Sequence, residues 1–253
     1  MSIYWTLSDI AAMTRRNLIR YVRIPTLIAF STVQPVMFVL LFAYVFGGAI
    51  RTPGAKYIDY LMPGIMIQVV VFGSTATGVG LAEDLSKGMI DRFRSLPMAR
   101  SAVLAGRTLA DTTRNVFVVL LMTGVGTLIG FRFHAGFLRA VAALGLAVLV
   151  GFAFCWISAT IGMAVGDAET AQVGGFIWLF PLIFASSIFV PVETMPSWLQ
   201  TVAGINPITS AVNAARALAL GGPVQEPLIK ILAWVAGILL VFCTLSIRKY
   251  RRV

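Results

Sequence analysis

The sequence predicts an all-α integral membrane protein with six transmembrane helices, on three observations. Of its 253 residues, 58% are hydrophobic and only 12% charged, about half the charged share of a soluble domain. Mean hydropathy is +0.90. Several apolar runs approach the roughly 20 residues needed to cross a hydrocarbon core about 30 Å thick. None alternates apolar with polar residues as a transmembrane β-strand would. Lipid offers the backbone no partners, so such runs close their own hydrogen bonds as helices.

The elements follow in order. Residues 1–25 hold a basic amphipathic helix over 3–23, with Ile3, Leu7, Ile10, Ala11, Leu18 and Val22 on one side and Arg15, Arg16, Arg20 and Arg23 near its end. That pattern suits an anionic membrane surface, and Pro25 ends or bends the helix. The spacing then predicts spans at 27–46, with Pro35 inside, and 58–81. Segment 82–107 is the most charged stretch. Further spans follow at 109–130, 138–165, 173–190 and 228–247, and the chain ends in a basic tail. No cleavable signal peptide is expected, because residues 1–25 lack an apolar core ending at a small-residue cleavage site.

The formal net charge is +10. The charges cluster at span ends, which explains them through topology and anionic lipid rather than nucleic acid. Lys and Arg number thirteen on the side holding the N-terminal segment, 82–107 and the tail, against six on the other. The positive-inside rule therefore places both termini in the cytoplasm. Cys155 and Cys243 lie within apolar runs and read as small buried hydrophobes, not as a disulfide or metal pair.

Two segments outside the spans stand out. In 82–107, Leu85, Met89, Phe93 and Leu96 make a stripe, with Glu83, Asp84, Lys87, Asp91, Arg92 and Arg94 on the other faces and Pro97 as a stop. Such a helix lies on lipid or docks into a partner's groove. The outer segment 191–226 begins with Met195-Pro196 and Trp198, a residue favoured at headgroup level. Asn206-Pro207 is a helix start. The run 208–220 is too short to cross, so a re-entrant or interfacial helix is expected, acting as a seal or a gate. Arg216 is expected to face water or a partner, because a charge facing lipid is costly.

Polar residues within spans are few. Gln34, Gln68, Ser74 and Thr75 are candidates for a pathway, although the glutamines serve equally as bonds between helices. Gly126-x-x-x-Gly130 and Gly162-x-x-x-Gly166 allow close helix packing. No ionisable residue sits at the centre of a span, which argues against ion coupling. Asp111 and Arg114 fall near one end of the third. The single histidine, His134, falls in an outer turn and supports neither a metal site nor a protease. No G-x-x-x-x-G-K-[ST] loop occurs, so the chain carries no P-loop for ATP. No catalytic residue is assigned.

Three segments together resemble the permease subunits of type-2 ABC transporters, of the daunorubicin-resistance class of drug and lipid exporters. They are YIDYLMPGI at 57–65, GMIDRFRSLPMARSAVLAGR at 88–107, and FVPVETMPSWLQTVAGINPITSAVNAARAL at 189–218. The resemblance implies one transmembrane domain over 1–253, with an N-terminal interfacial helix, a cytosolic coupling helix over 83–97 and an outer re-entrant helical pair. It implies two cytosolic ABC ATPase subunits, which bind ATP and Mg, and a second permease chain, identical or paralogous. The setting it implies is the bacterial cytoplasmic membrane, and this chain has no cofactor of its own. Glu83, Lys87, Arg92, Phe93, Arg94 and Leu96 would form the ATPase contact. Met195, Trp198, Asn206 and Arg216 would form an outer gate. A polysaccharide or teichoic-acid exporter permease shares these features, and a membrane assembly or immunity factor is the non-transporting alternative.

Overall fold

Twelve α-helical segments make up the described residues of this computed structural model, which are 3–23, 25–47, 56–95 and 99–252. Helix α1 is Ile3–Arg23, and α2 is Pro25–Leu40, extended by a π-turn over Leu41–Phe46. Next come α3 (Tyr57–Gly73), α4 (Thr75–Ser86), α5 (Met89–Arg94), α6 (Arg100–Ile129), α7 (Phe137–Val165) and α8 (Ala168–Phe184). The remainder is α9 (Ser197–Ile205), α10 (Pro207–Leu220) and α11 (Gln225–Ile238), with α11 running through a π-turn into α12 (Thr244–Arg252). No strand occurs among the described residues.

Among the described residues, four stretches are long and apolar enough to cross a membrane: Tyr57–Ser86, Ala102–Ile129, Phe137–Val165 and Gln225–Tyr250. Thr32–Val45 and Ala168–Phe184 are shorter apolar helices. The fifth expected span ends at Phe184 rather than at residue 190, because 185–190 leaves the helix. The second runs on past residue 81 to Ser86, interrupted at Ser74.

Helix α3 forms the centre, and every residue from Leu61 to Val71 is buried. Helices α2, α6, α7 and α10 pack around it. One cluster joins Ile65, Val70, Met122, Phe154, Ile183, Ile208 and Ile231 across α3, α6, α7, α8, α10 and α11. A second gathers Met13, Leu81, Ile90, Phe93, Leu104, Trp156, Met163 and Tyr250 at the opposite end. Met13 and Tyr250 share this second cluster, so the two terminal helices sit at the same end of the bundle.

Helix α1 is apolar on two sides, which refines the single face expected. Met13, Asn17 and Tyr21, spaced four apart, are buried on the side that packs along α6. Tyr4, Trp5, Leu7 and Val22 are exposed on the other side. Asp9 also accepts a hydrogen bond from the Ala99 amide at 3.0 Å, so α1 caps the start of α6. The helix expected over 83–97 is not continuous. Gly88 adopts φ +65°, so 83–86 belongs to α4 and only the short α5 follows.

In each small-residue motif one glycine packs and the other ends its helix. Gly130 and Gly166 are left-handed caps of α6 and α7. Gly162 lies so close to Gly78 that a Cβ would collide with that residue's carbonyl, bringing the α7 and α4 backbones into contact. We expect Gly162→Val to lower thermal stability in detergent by about 1–3 kcal/mol or more, as overpacking does. Gly145→Ala, at an open helical position, is expected to be neutral or slightly stabilising in the same assay.

Candidate functional site

Three of the four pathway candidates come together. A cavity of about 310 Å³ is lined by Gln34, Pro35 and Phe38 of α2, Ile65, Gln68 and Phe72 of α3, Thr75 of α4 and Phe176 of α8. Its other end is polar, formed by Arg20 and Tyr21 of α1, Glu83 of α4, and Arg107, Arg114 and Asn115 of α6. Ser74 is not part of it. That hydroxyl is fully buried, donates to the Val71 carbonyl at 2.6 Å and meets the Ser158 hydroxyl of α7 at 3.2 Å.

The polar end exists because α3 and α4 break. Ser74 and Thr75 each bond back to a carbonyl three residues earlier, a habit that loosens a helix. Two arginines of α6 occupy carbonyls at the break: Arg114 Nη2 donates to Gly73, and Arg107 Nη2 donates to Ala76 at 2.7 Å. Gly80 leaves room for the Arg107 guanidinium, which a Cβ there would strike. Arg107 Nε donates to Asp111 at 3.2 Å, and that carboxylate, fully buried, also accepts from Thr77 and Tyr21. Burial first, and then Asp111, push the Tyr21 hydroxyl up to about 12, so it remains a donor at physiological pH.

This network escaped the sequence reading, which assigned Arg107 to the connecting loop. The structure corrects that: Arg107 is buried within α6, only 5% exposed. The available signal was Arg107, Asp111 and Arg114 at i, i+4 and i+7, one face of a helix.

The charged segment turns inward as well. Arg16 makes a two-pronged contact with Asp84, at 2.9 and 3.4 Å, and Arg20 bonds Glu83. Lys87 reaches Glu83 at 2.6 Å. Phe93 is 9% exposed, packed in the chain's own core with the Arg16 guanidinium 4.8 Å from its ring centre. Among the coupling candidates, Lys87 and Arg92 are exposed and Glu83 is half-buried. Leu96 and the side chain of Arg94 lie outside the described residues.

At the opposite end, irregular backbone over 185–190 lies against α3, where Gly64 leaves room for the Ile188 backbone. Its carbonyls are supplied by side chains. Asn206 caps α10 by accepting from the Ile208 amide at 2.8 Å, and donates to Leu182 and Ala185 at 2.6 and 2.8 Å. Tyr60 and Tyr57 hydroxyls donate to Ser187 and Phe189, each at 3.1 Å. Arg216, expected to face water or a partner, is met by partners within the chain. Its guanidinium lies 3.6 Å from the Tyr60 ring centre and donates to Ser187 at 2.9 Å and Tyr60 at 3.2 Å. These carbonyls and the ring give it what solvent would. Of the other outer candidates, Met195 is buried and Trp198 is 68% exposed.

A file of phenylalanines links the two ends. Phe72 meets Phe180 at 5.4 Å, then Phe184 at 5.8 Å, Phe189 at 5.6 Å, Phe42 at 4.4 Å and Phe38 at 6.0 Å, centre to centre.

Apolar helices of membrane-spanning length around a cavity with one apolar and one polar end fit a membrane transport subunit. The comparisons agree. The pattern of the family described as ABC-2 type transporter matches residues 8–220, and the chain belongs to this family. It is 36% identical over 236 residues to the daunorubicin resistance ABC transporter permease protein DrrB1 of Streptomyces coeruleorubidus, covering 93% of this chain and 83% of that one. It is 31% identical over 241 residues to the probable doxorubicin resistance ABC transporter permease protein DrrC of Mycobacterium tuberculosis, covering 94% and 87%. The putative transport permease ycf38 of Cyanophora paradoxa is 22% identical over 219 residues.

Three outcomes follow. Asp111→Ala leaves Arg107 buried without its carboxylate and is expected to cost about 3–5 kcal/mol, read as a lower melting temperature in detergent. The pair Arg107→Met with Asp111→Leu should lose less than Asp111→Ala alone. Arg216→Lys should also lower the melting temperature, because an ammonium cannot reproduce the flat stack on Tyr60 and the fork to two carbonyls.

Proposed function

We propose that this chain is the permease subunit of an ATP-driven exporter. It would move a hydrophobic or amphipathic molecule, a drug, lipid or lipid-like metabolite, out of the cytoplasm or the inner leaflet. The observation that carries this is the cavity holding Gln34, Gln68 and Thr75 in a member of the ABC-2 type transporter family. The names of the two drug-resistance relatives support the substrate class.

In this reading six helices cross the membrane. The Pro25–Phe46 helix and α8 join the four long stretches, and α9 with α10 form the outer re-entrant pair. Both termini face the cytoplasm of a bacterium. Two ATPase subunits bind ATP and Mg, and a second permease, identical or paralogous, completes the complex. Lys87 and Arg92, flanking the Gly88 turn, touch the ATPase together with Arg94 and Leu96. Phe93 and Glu83 act one step inward. Both are tied to α1, so a push on the turn reaches the wall of the cavity. Met195, Trp198, Asn206 and Arg216 belong to the outer gate.

The test is a mild-detergent pull-down of the tagged chain from its native membrane, with ATPase activity assayed on the eluate. A stoichiometric ATP-binding subunit is expected, lost in Lys87→Glu with Arg92→Glu. A chain that elutes alone in several detergents would instead be a non-transporting membrane factor.

A further inference from the structure

Helix α1 divides its four arginines between two tasks. Arg16 and Arg20 turn inward, onto Asp84 and Glu83 of α4. Arg15 and Arg23 turn outward and are exposed. With Ile19 between them they are spaced four apart and share one helix face, beside the exposed Ala12 and Val22. A shallow groove on this face has Ala12, Arg15, Ile19 and Arg23 in its lining. Neither outward arginine makes an ion pair or side-chain hydrogen bond among the described residues. The one acidic residue of α1, Asp9, accepts from the Ala99 amide. The outward face is therefore apolar and cationic, with no counter-charge of its own.

Depth decides what meets this face. The apolar stretch of α6 ends at Ile129. A hydrocarbon core takes about 20 helical residues, which counted back from Ile129 end near Ala110. The Tyr21 hydroxyl donates to Asp111, so the last turn of α1 lies at the edge of that core. From there α1 runs outward along α6, with Met13 against Gly106 and Asp9 at Ala99. Arg15 and Arg23 stand within about 9 Å of Tyr21 along the helix axis. A headgroup layer is about 5–8 Å deep on each side of the core. Arginine stems carry their guanidiniums to that layer while the stems stay against apolar surface.

We propose that the outward face of α1 binds anionic phospholipids, with their phosphates on Arg15 and Arg23 and their upper acyl carbons against Ile19 and Val22. A zwitterionic lipid presents the same phosphate but cancels it with an ammonium, so the face selects lipids of net negative charge. The inference rests on α6 crossing the membrane, not on the transport reading. Its consequence is mechanical. Arg16 and Arg20 of the same helix hold α4, and Arg20 and Glu83 line the cavity. Lipid on the outward face is thus joined to the cavity wall through a single helix.

The test uses the full chain in phosphatidylcholine nanodiscs holding a small share of phosphatidylglycerol with a diazirine in its headgroup. After photolysis, adducts are expected on the 12–23 stretch of α1. Unlabelled phosphatidylglycerol should displace the probe, and added phosphatidylcholine should not. Each arginine at an anionic surface strengthens association about fivefold. Arg15→Gln with Arg23→Gln should therefore cut labelling of this stretch about 25-fold. Both side chains are exposed and unpaired, so the melting temperature should not change. Arg15→Lys with Arg23→Lys keeps the charge and should keep the labelling. Arg139→Gln with Lys230→Gln removes the same charge from exposed positions at the other end of the bundle and should leave α1 labelling unchanged. Three results would overturn the proposal: labelling kept without the two arginines, labelling lost equally in the Arg139 and Lys230 variant, or displacement by phosphatidylcholine as effective as by phosphatidylglycerol. Loss of α1 labelling in the complex with its ATPase would overturn it too, by giving the face to that subunit.

Discussion

An interrupted backbone in an apolar surround must have its carbonyls and amides bonded by something other than water, and this constraint organises the molecule. The chain breaks its helices at two places inside the bundle, at Ser74 and over 185–190. Each break is answered by cations and amides from a neighbouring helix. Arg107 and Arg114 of α6 serve the first. Asn206 and Arg216 of α10, with Tyr57 and Tyr60 of α3, serve the second. A straight bundle would need none of these polar groups. Their presence fixes which helices neighbour which, and it leaves polar groups facing space.

The two breaks lie at opposite ends of the central helix. The break over 185–190 stops α8 short and lays Phe189 on Phe42. The break at Ser74 turns Gly73 and Ala76 carbonyls toward α6, importing two arginines whose charge then requires Asp111. A buried ion pair of this kind is weak evidence for stability as such. Its value here is positional: it holds α1, α4 and α6 together through Tyr21, Thr77 and Asp111. It also forms the polar floor of the cavity.

Much of the architecture was legible in the sequence, because composition and hydropathy determine what lipid permits. The fourth apolar run, read as 138–165, is found as Phe137–Val165, and the Asn206-Pro207 start is found with its cap made. What was not legible depended on partners distant in sequence. Hydropathy placed Arg107 in a loop, since an arginine lowers any window's score. The Ala76 carbonyl, some thirty residues earlier, joins Asp111 in making its burial favourable. The stripe Leu85, Met89, Phe93 and Leu96 looked continuous, but a glycine at φ +65° divides it, and local periodicity cannot register a left-handed residue. For Arg216, expected to face water or a partner, the identity of the partners was not legible, because the Tyr60 ring and two carbonyls come from other segments.

The pairing of Phe93 with Arg16 bears on how force would cross the chain. A contact residue standing free of its own fold can be displaced without consequence. Phe93 is instead packed beneath a guanidinium that is itself forked onto Asp84. Displacing the Gly88 turn therefore strains α1 and the end of α4 together. One turn of α1 beyond Arg16 are Arg20 and Tyr21, both at the cavity, and Tyr21 is bonded to Asp111. Coupling needs an element with two arrangements and a rigid connection to it. In the coupling proposed above, the salt-bridged ladder of α1 and α4 would be the connection. The break at Ser74, where side chains of α6 and α7 bond the chain beside its own backbone hydrogen bonds, would be the element that moves.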